Sequence, residues 1–121
     1  MPTIALDAMG GDTFPDMNIL GAVQAVNEFP VNIFLVGDES ILSKKISNIP
    51  NFPHDRISII HADEVIEMSE SPAKSFRKKK KSSIHIGLNL VKSGKAAGFV
   101  SAGNTGAVLT ASTFILGRIQ G

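Results

Sequence analysis

Short apolar runs alternate along the chain with longer segments of helical periodicity, and this alternation limits the fold more than any other feature. Four runs are predicted to be buried strands, at 3–6, 31–36, 57–60 and 97–100. The segments between and after them predict helices, in the order β-α-β-α-β-α-α-β-α. Continuous apolar strands that alternate with helices are typical of a parallel sheet covered on both faces. The predicted fold class is therefore α/β.

Capping residues mark where several of the predicted helices begin. Asp38 is suited to cap the second helix, which Pro50 terminates. Ser71 with Pro72 begins a third helix that is predicted to continue through a lysine-rich stretch. The other predicted helices are one over 16–27, one from Ser82 or Ser83 toward Gly94, and a last one that carries Val108 to Leu116.

Composition excludes several kinds of chemistry. The chain has no Cys among its 121 residues, so it has no disulfide, no thiolate nucleophile and no Cys-ligated zinc. Its length and its 43% hydrophobic content fit one globular domain with a core. No long apolar run precedes Asp7, and none reaches the roughly 18 residues of a membrane span. We therefore expect a soluble, cytosolic chain.

Polar and glycine-rich clusters follow the predicted strands. They lie at 7–12, 37–38, 61–63 and 101–106. In open α/β sheets, ligands bind outside the carboxyl ends of the strands, where these clusters would gather. The sequence therefore predicts a binding site at that edge of the sheet.

The cluster Ser101-Ala102-Gly103-Asn104-Thr105-Gly106, called here the anion turn, joins a predicted strand to a predicted helix. Small residues let backbone N–H groups approach a ligand, and a helix N-terminus adds partial positive charge, so the turn suits a phosphate or an oxyanion. The alternative is an ordinary turn in which Asn104 or Thr105 caps the helix. Asn104 stands where a P-loop has lysine, and there is no G-x-G-x-x-G motif, so ATP and dinucleotides are disfavoured.

Two carboxylates, Asp7 and Asp12, flank the turn after the first strand. They can orient a substrate or hold Mg²⁺ through waters, although Asp12 can equally serve only to cap the turn. The histidines His54, His61 and His85 show no metal-ligand spacing, and we expect them on loops or helix surfaces.

The net charge of +1 conceals an acidic segment, 63–70, and a basic tract, 74–81. A lysine run is most often a solvated helix face, but it can also attract anionic lipid or an acidic protein. A third interpretation turns Lys74, Arg77 and Lys78 inward toward a phosphate. Nucleic acid is disfavoured, because a single aromatic residue interrupts the tract.

Four segments, in this order, resemble the N-terminal part of the bacterial phosphate acyltransferase family of phospholipid synthesis. They are Ile4–Asp12, Ser71–Lys74, Arg77–Lys80 with Ser82 and Ser83, and Ser101–Ala107. The first and last segments are the most specific, and the resemblance covers essentially the whole chain.

The resemblance implies transfer of a fatty acyl group from acyl carrier protein to inorganic phosphate, with no organic cofactor. The product would pass to a membrane glycerol-3-phosphate acyltransferase. The resemblance further implies a cytoplasmic homodimer with loose peripheral membrane association. The implied fold is a three-layer α/β sandwich with a mainly parallel sheet, like those of isopropylmalate dehydrogenase and phosphotransacetylase. Residues 1–121 would then be the N-terminal portion of a single acyltransferase domain, with little or no activity alone.

The implied chemistry needs no nucleophile from the protein, because phosphate itself attacks the thioester carbonyl and the protein holds the anion and the developing oxyanion. On this interpretation the phosphate-binding residues are Gly103, Asn104, Thr105, Gly106, Lys74, Arg77 and Lys78. The catalytic residues are Asn104, Asp7 and Asp12. The contacts to carrier protein or lipid are Lys79, Lys80 and Lys81.

Other functions remain as alternatives. A phosphotransacetylase-like enzyme that uses acyl-coenzyme A would need the same sheet and the same anion turn. A non-catalytic module could use the basic tract alone to bind nucleic acid or membrane. A dehydrogenase-like protein is disfavoured, since the dinucleotide fingerprint is missing.

Overall fold

One parallel sheet of four strands lies in the part of the chain that the computed structural model describes, residues 1–11, 14–66, 70–103 and 105–117. The strands are β1 (Thr3–Asp7), β2 (Asn32–Gly37), β3 (Ile57–His61) and β4 (Gly98–Val100). They lie in the order β3-β2-β1-β4, and each neighbouring pair is parallel. The predicted α/β class and the predicted strands are confirmed, to within one residue at each end.

Five helices are present in the same described ranges: α1 (Asp16–Glu28), α2 (Glu39–Ile46), α3 (Pro72–Lys78), α4 (Ser83–Lys92) and α5 (Thr105–Ile115). Strands and helices follow one another in the predicted order. Within these ranges, every helix is too short or too polar to cross a membrane.

Side-chain caps explain where two of the helices begin. Asp38 Oδ1 accepts the backbone N–H of Ile41 at 3.2 Å, at the start of α2. Ser82 Oγ accepts the backbone N–H of His85 at 3.2 Å, at the start of α4. Each cap satisfies an N–H group that has no partner inside its helix. These two predicted caps are confirmed, whereas Ser71, predicted to cap α3, makes no side-chain capping bond.

Helix α3 is shorter than predicted, because it ends at Lys78 and does not continue through the basic tract. Lys79 has φ −105° and ψ 61°, which is outside helical geometry. Its ammonium nitrogen lies 2.7 Å from Glu70 Oε2 and 2.7 Å from the carbonyl oxygen of Val65. These contacts with the preceding segment replace a further helical turn.

Helices cover both faces of the sheet and so form three layers. On one face, α1 and α2 pack against Ile33 and Leu35 of β2. On the other face, α4 packs against Phe34 and Val36 of the same strand. Successive side chains of a strand point to opposite faces, so an apolar run such as β2 needs a cover on each side. The three-layer arrangement is confirmed for the described residues.

Helices α3, α4 and α5 form a separate apolar cluster. Ile84 and Leu88 of α4 pack with Ala107 and Ala111 of α5, and Phe76 of α3 packs against them. Small residues on α5 let the helices approach closely. Helix α3 packs against α5 in this cluster, so it lies beside the helix that follows the anion turn.

The expected surface position of the histidines is wrong for His85, which is only 4% exposed. His85 lies three residues before Leu88, on the face of α4 that is turned toward the apolar cluster. His54 and His61 are exposed, in a loop and at the end of β3. His61 Nδ1 accepts the backbone N–H of Glu39 at 3.1 Å, where α2 begins.

Candidate anion-binding site

Two polar loops meet at the carboxyl edge of the sheet, on either side of a change in strand order. The chain passes from β1 to β2 in one direction, whereas β4 is added on the other side of β1. Such a reversal is a topological switch point, where open α/β sheets bind ligands. The loop of residues 8–11, called here the β1 loop, and the anion turn both start at this point. Asp7 and Ser101 directly follow the paired residues Leu6 and Val100.

Asp7 connects the two loops through its side chain and is only 2% exposed. Its Oδ1 accepts the backbone N–H of Met9 at 3.0 Å, and its Oδ2 accepts the hydroxyl of Ser101 at 2.8 Å. Ser101 Oγ in turn accepts the backbone N–H of Gly103 at 3.0 Å. A buried carboxylate needs such partners, since an unpaired charge in the interior is strongly unfavourable. Asp7 therefore holds the β1 loop with one oxygen and the anion turn with the other.

Asn18 attaches the β1 loop to helix α1, a role that sequence reasoning missed. Its Nδ2 donates to the carbonyl oxygen of Asp7 at 2.8 Å and to that of Gly10 at 3.2 Å. These are buried residues, and their carbonyl groups need donors. The available signal was an Asn near the start of a helix, where its intrinsic propensity is low. That signal does not identify the partners.

Gly10 lets the two loops approach each other. A Cβ atom at this position would lie 2.7 Å from Asp7 Oδ2 and 2.8 Å from the backbone nitrogen of Gly103. Both distances are shorter than a carbon atom tolerates, and the second neighbour is backbone that cannot rotate away. The loops can meet in this way only because residue 10 has no side chain.

The structure brings part of the predicted anion turn to the switch point. Gly103 is buried in the turn, and α5 begins two residues later at Thr105, with Gly106 next. The first backbone N–H groups of a helix have no partner inside the helix, so they can bind an anion. Asn104 and Asp12 lie outside the described residues.

The three cations predicted to face a phosphate lie on α3 and are exposed. Lys74 and Lys78 line one cavity of about 240 Å³, together with Ser71 and Ser75, whereas Arg77 is not among the residues lining it. The structure relates this cavity to the anion turn only indirectly, because α3 packs against α5, the helix that follows the turn.

The outer lysines divide into two groups. Lys79 uses its ammonium group within the protein, in the contacts with Glu70 and Val65 described above. Lys80 and Lys81 are exposed, and the backbone N–H of Lys81 donates to Glu64 Oε1 at 3.0 Å. The acidic segment and the basic tract therefore bind each other locally.

An apolar groove of about 540 Å³ opens beside the two loops. Leu6 and Val100 of the sheet and Met17 and Ala25 of α1 line it, and its polar end reaches the β1 loop and the anion turn. An apolar ligand group and an anion could thus lie next to each other at this edge of the sheet.

The fold and this edge define a doubly wound α/β protein with a small-residue turn at its switch point. Comparison with known proteins assigns the chain to a family. The chain belongs to the family described as "Fatty acid synthesis protein", whose model matches residues 2–121.

Three relatives illustrate the similarity, and each is named "Phosphate acyltransferase". The protein of Clostridioides difficile is 46% identical over 118 residues, which cover 98% of this chain and 34% of the relative. That of Halothermothrix orenii is 49% identical over 117 residues, covering 96% and 35%. That of Desulforamulus reducens is 50% identical over 121 residues, covering 100% and 36%. The chain therefore spans about a third of the length of these curated relatives.

Proposed function

We propose that this chain provides the phosphate-holding part of an enzyme that transfers a fatty acyl group from acyl carrier protein to inorganic phosphate. The observation that carries the proposal is the hydrogen-bonded link from Asp7 through Ser101 to Gly103, which shapes a backbone turn at the switch point. The family description and the names of the relatives support acyl transfer to phosphate as the reaction.

In this reaction a phosphate oxygen attacks the carbonyl carbon of the thioester. A C–O bond forms and the carbonyl oxygen becomes an oxyanion. The C–S bond then breaks and the carrier thiolate leaves, to be protonated by solvent. The protein has to hold phosphate close to the carbonyl and to stabilise the oxyanion, and it needs no nucleophile of its own.

The anion turn carries both tasks in the proposal. Backbone N–H groups of Thr105 and Gly106 hold the phosphate, and Asn104 donates its side-chain amide to the oxyanion. Gly103, predicted to bind phosphate, instead shapes the turn, because its own N–H donates to Ser101 Oγ. Asp7 is a positioning residue, since both of its oxygens are already bound within the protein. Asp12 shapes the same pocket.

Cations from the basic tract complete the site. Lys74, Arg77 and Lys78 neutralise the phosphate from α3, whose neighbour α5 starts at the anion turn. Lys80 and Lys81 attract acidic carrier protein or anionic lipid, while Lys79 keeps its partner Glu70. The apolar groove beside the loops offers surface for the hydrocarbon part of the acyl group.

The proposed cellular setting rests on the family resemblance. The product, an acyl phosphate, is consumed by a membrane glycerol-3-phosphate acyltransferase on the way to phosphatidic acid. The enzyme works as a homodimer in the cytoplasm and associates peripherally with the membrane.

The test uses the protein that carries this chain at its natural length, supplied with long-chain acyl carrier protein and phosphate. Hydroxylamine traps the acyl phosphate as a hydroxamate. Asn104→Ala is expected to lower kcat by about 10²–10³-fold, the usual effect of losing one oxyanion donor. Asn89→Ala removes an exposed amide on α4 and is the matched control, with kcat unchanged.

Three results would contradict parts of the proposal. If folded wild-type protein yielded no hydroxamate, the proposed reaction would be wrong. Product from acetyl-coenzyme A but not from acyl carrier protein would favour the phosphotransacetylase alternative. An unchanged kcat in Asn104→Ala would show that Asn104 does not stabilise the oxyanion.

A further inference from the structure

The imidazole of His85 is buried between helices and has no part in the proposed reaction. Its ring stacks on that of Phe76, with centroids 4.8 Å apart and planes at 27°. Its Nδ1 lies 3.2 Å from Ser82 Oγ. Its Nε2 has no hydrogen-bond partner among the residues that the structure describes. A buried ring nitrogen in this state is tolerable for neutral imidazole and costly for imidazolium, which has two N–H groups to satisfy.

Helix α3 relies on tertiary packing for its position, and the contact with His85 is part of that packing. The helix has only seven residues, too few to be stable without packing, and Ser75 is its one buried residue. The half-buried Phe76 joins it to the α4–α5 cluster and to the His85 ring. Packing against α5 and the stacked pair therefore hold α3 in place together.

Charged groups around His85 oppose its protonation on balance. Burial, and then the positive charge of Lys80, lower the pKa of His85 below its ordinary value of 6.5, whereas Glu64 and the backbone of Phe76 raise it. Helix α3 contributes the further cations Lys74, Arg77 and Lys78. Helix α5 contributes no charged side chain between Thr105 and Ile115.

We propose that neutral His85 positions helix α3, so that protonation of its imidazole releases α3 together with the cations Lys74, Arg77 and Lys78. The imidazolium would need a partner for Nε2 and would face Lys80, so it is favoured in a conformation where water reaches the ring. The stack on Phe76 then opens and α3 leaves α5. The expected loss of phosphate binding rests on the proposed function. The expected release of α3 does not depend on it.

Heteronuclear NMR of the chain over a range of pH tests the structural part. The His85 ring is expected to titrate with a pKa below its ordinary value of 6.5. The amide signals of residues 72–78 are expected to shift with the same midpoint as His85. In His85→Gln, which has no titrating ring, these amide signals should lose that shift. His54→Gln removes an exposed ring elsewhere and should retain the pH-dependent shift of the α3 amide signals. Amide signals of α3 that stay fixed while His85 titrates would overturn the proposal.

A second variant and a second measurement separate the possible failures. His85→Phe keeps an aromatic ring against Phe76 and should hold α3 at every pH, even if the glutamine variant does not fold. The KM for phosphate of the natural-length protein should rise as pH falls through the His85 midpoint, and should lose this rise in His85→Phe. If the α3 signals respond but the KM does not, the inference about α3 stands, and the assignment of its cations to phosphate in the proposed function is wrong.

Discussion

Asp7 shows how one side chain can define a site that it does not itself complete. Its carboxylate ends β1, yet its partners belong to the β1 loop and to the anion turn. The sequence predicts Asp7 as a site residue because of its place at a strand end beside glycines. It could not identify the role, since a catalytic carboxylate and a positioning carboxylate look the same until their hydrogen bonds are known.

Replacement of Asp7 by Asn should destabilise the protein. The amide has one acceptor oxygen instead of two, and it lacks the charge that strengthens the bonds to Met9 and Ser101. The free energy of unfolding should fall by about 1–3 kcal/mol, measured by urea denaturation. Asp16→Asn is the control, because Asp16 is exposed and its ion pair with Lys45 is at the surface, so its change should stay below about 1 kcal/mol. Equal losses in the two variants would contradict the positioning role.

Two glycines should respond in opposite ways to the same methyl group. Gly10→Ala forces Asp7 and the backbone of Gly103 apart, and should lower the free energy of unfolding by about 1–3 kcal/mol. Gly21→Ala adds its Cβ in open space on helix α1, and should raise it by about 0.4–1 kcal/mol. Thermal denaturation followed by circular dichroism measures both. If Gly10→Ala were as stable as wild type, the two loops could not be as close as described.

At the scale of elements, helix starts were easier to predict than helix ends. Ser82 and Asp38 start helices as predicted, because capping is a local interaction between a side chain and the next turn. The end of α3 was mispredicted, because Lys79 is held by Glu70 and Val65 from an earlier part of the chain. Helix propensity is high for lysine, so nothing local would have stopped the helix there.

Replacing the N-cap serine by alanine should destabilise α4 more than α3, although both serines match the same sequence pattern. Ser82 accepts the N–H of His85 and also lies next to its ring, so Ser82→Ala should cost about 1–2 kcal/mol. Ser71 makes no side-chain capping bond to α3, so Ser71→Ala should cost less than about 0.5 kcal/mol. Urea denaturation of both variants measures the difference. Equal costs would show that capping does not distinguish the two helices.

For the whole molecule, the alternation of strands and helices predicted the layers but not the strand order. An α/β pattern is satisfied by several strand orders, and the observed one sets β4 beside β1 and so brings Asp7 next to Ser101. The burial of His85 was missed for a related reason. The face of α4 that carries it becomes buried only when α3 and α5 pack there, and a single sequence does not reveal such long-range packing.

The stability of the whole fold should depend on pH through His85. In the unfolded chain His85 takes up its proton near pH 6.5, whereas the folded chain holds it neutral to lower pH. The unfolded state therefore binds more protons just below pH 6.5, and the free energy of unfolding falls as pH drops through this range. The difference between wild type and His85→Gln, from urea denaturation at about pH 7.5 and about pH 5.5, isolates this contribution. A wild type that loses no more stability than the variant would contradict it.

The bond between Asp7 and Ser101 joins positions 94 residues apart in the chain. At about 5–20 residues per second, a ribosome needs roughly 5–20 seconds to make the second partner after the first. During that time β1 can pair with β2, but the carboxylate of Asp7 has only water and its own loop as partners. Contacts between residues so far apart in the sequence also form slowly during folding. The anion turn is therefore assembled only after β4 has been made, and any truncation before Ser101 leaves a sheet without this edge.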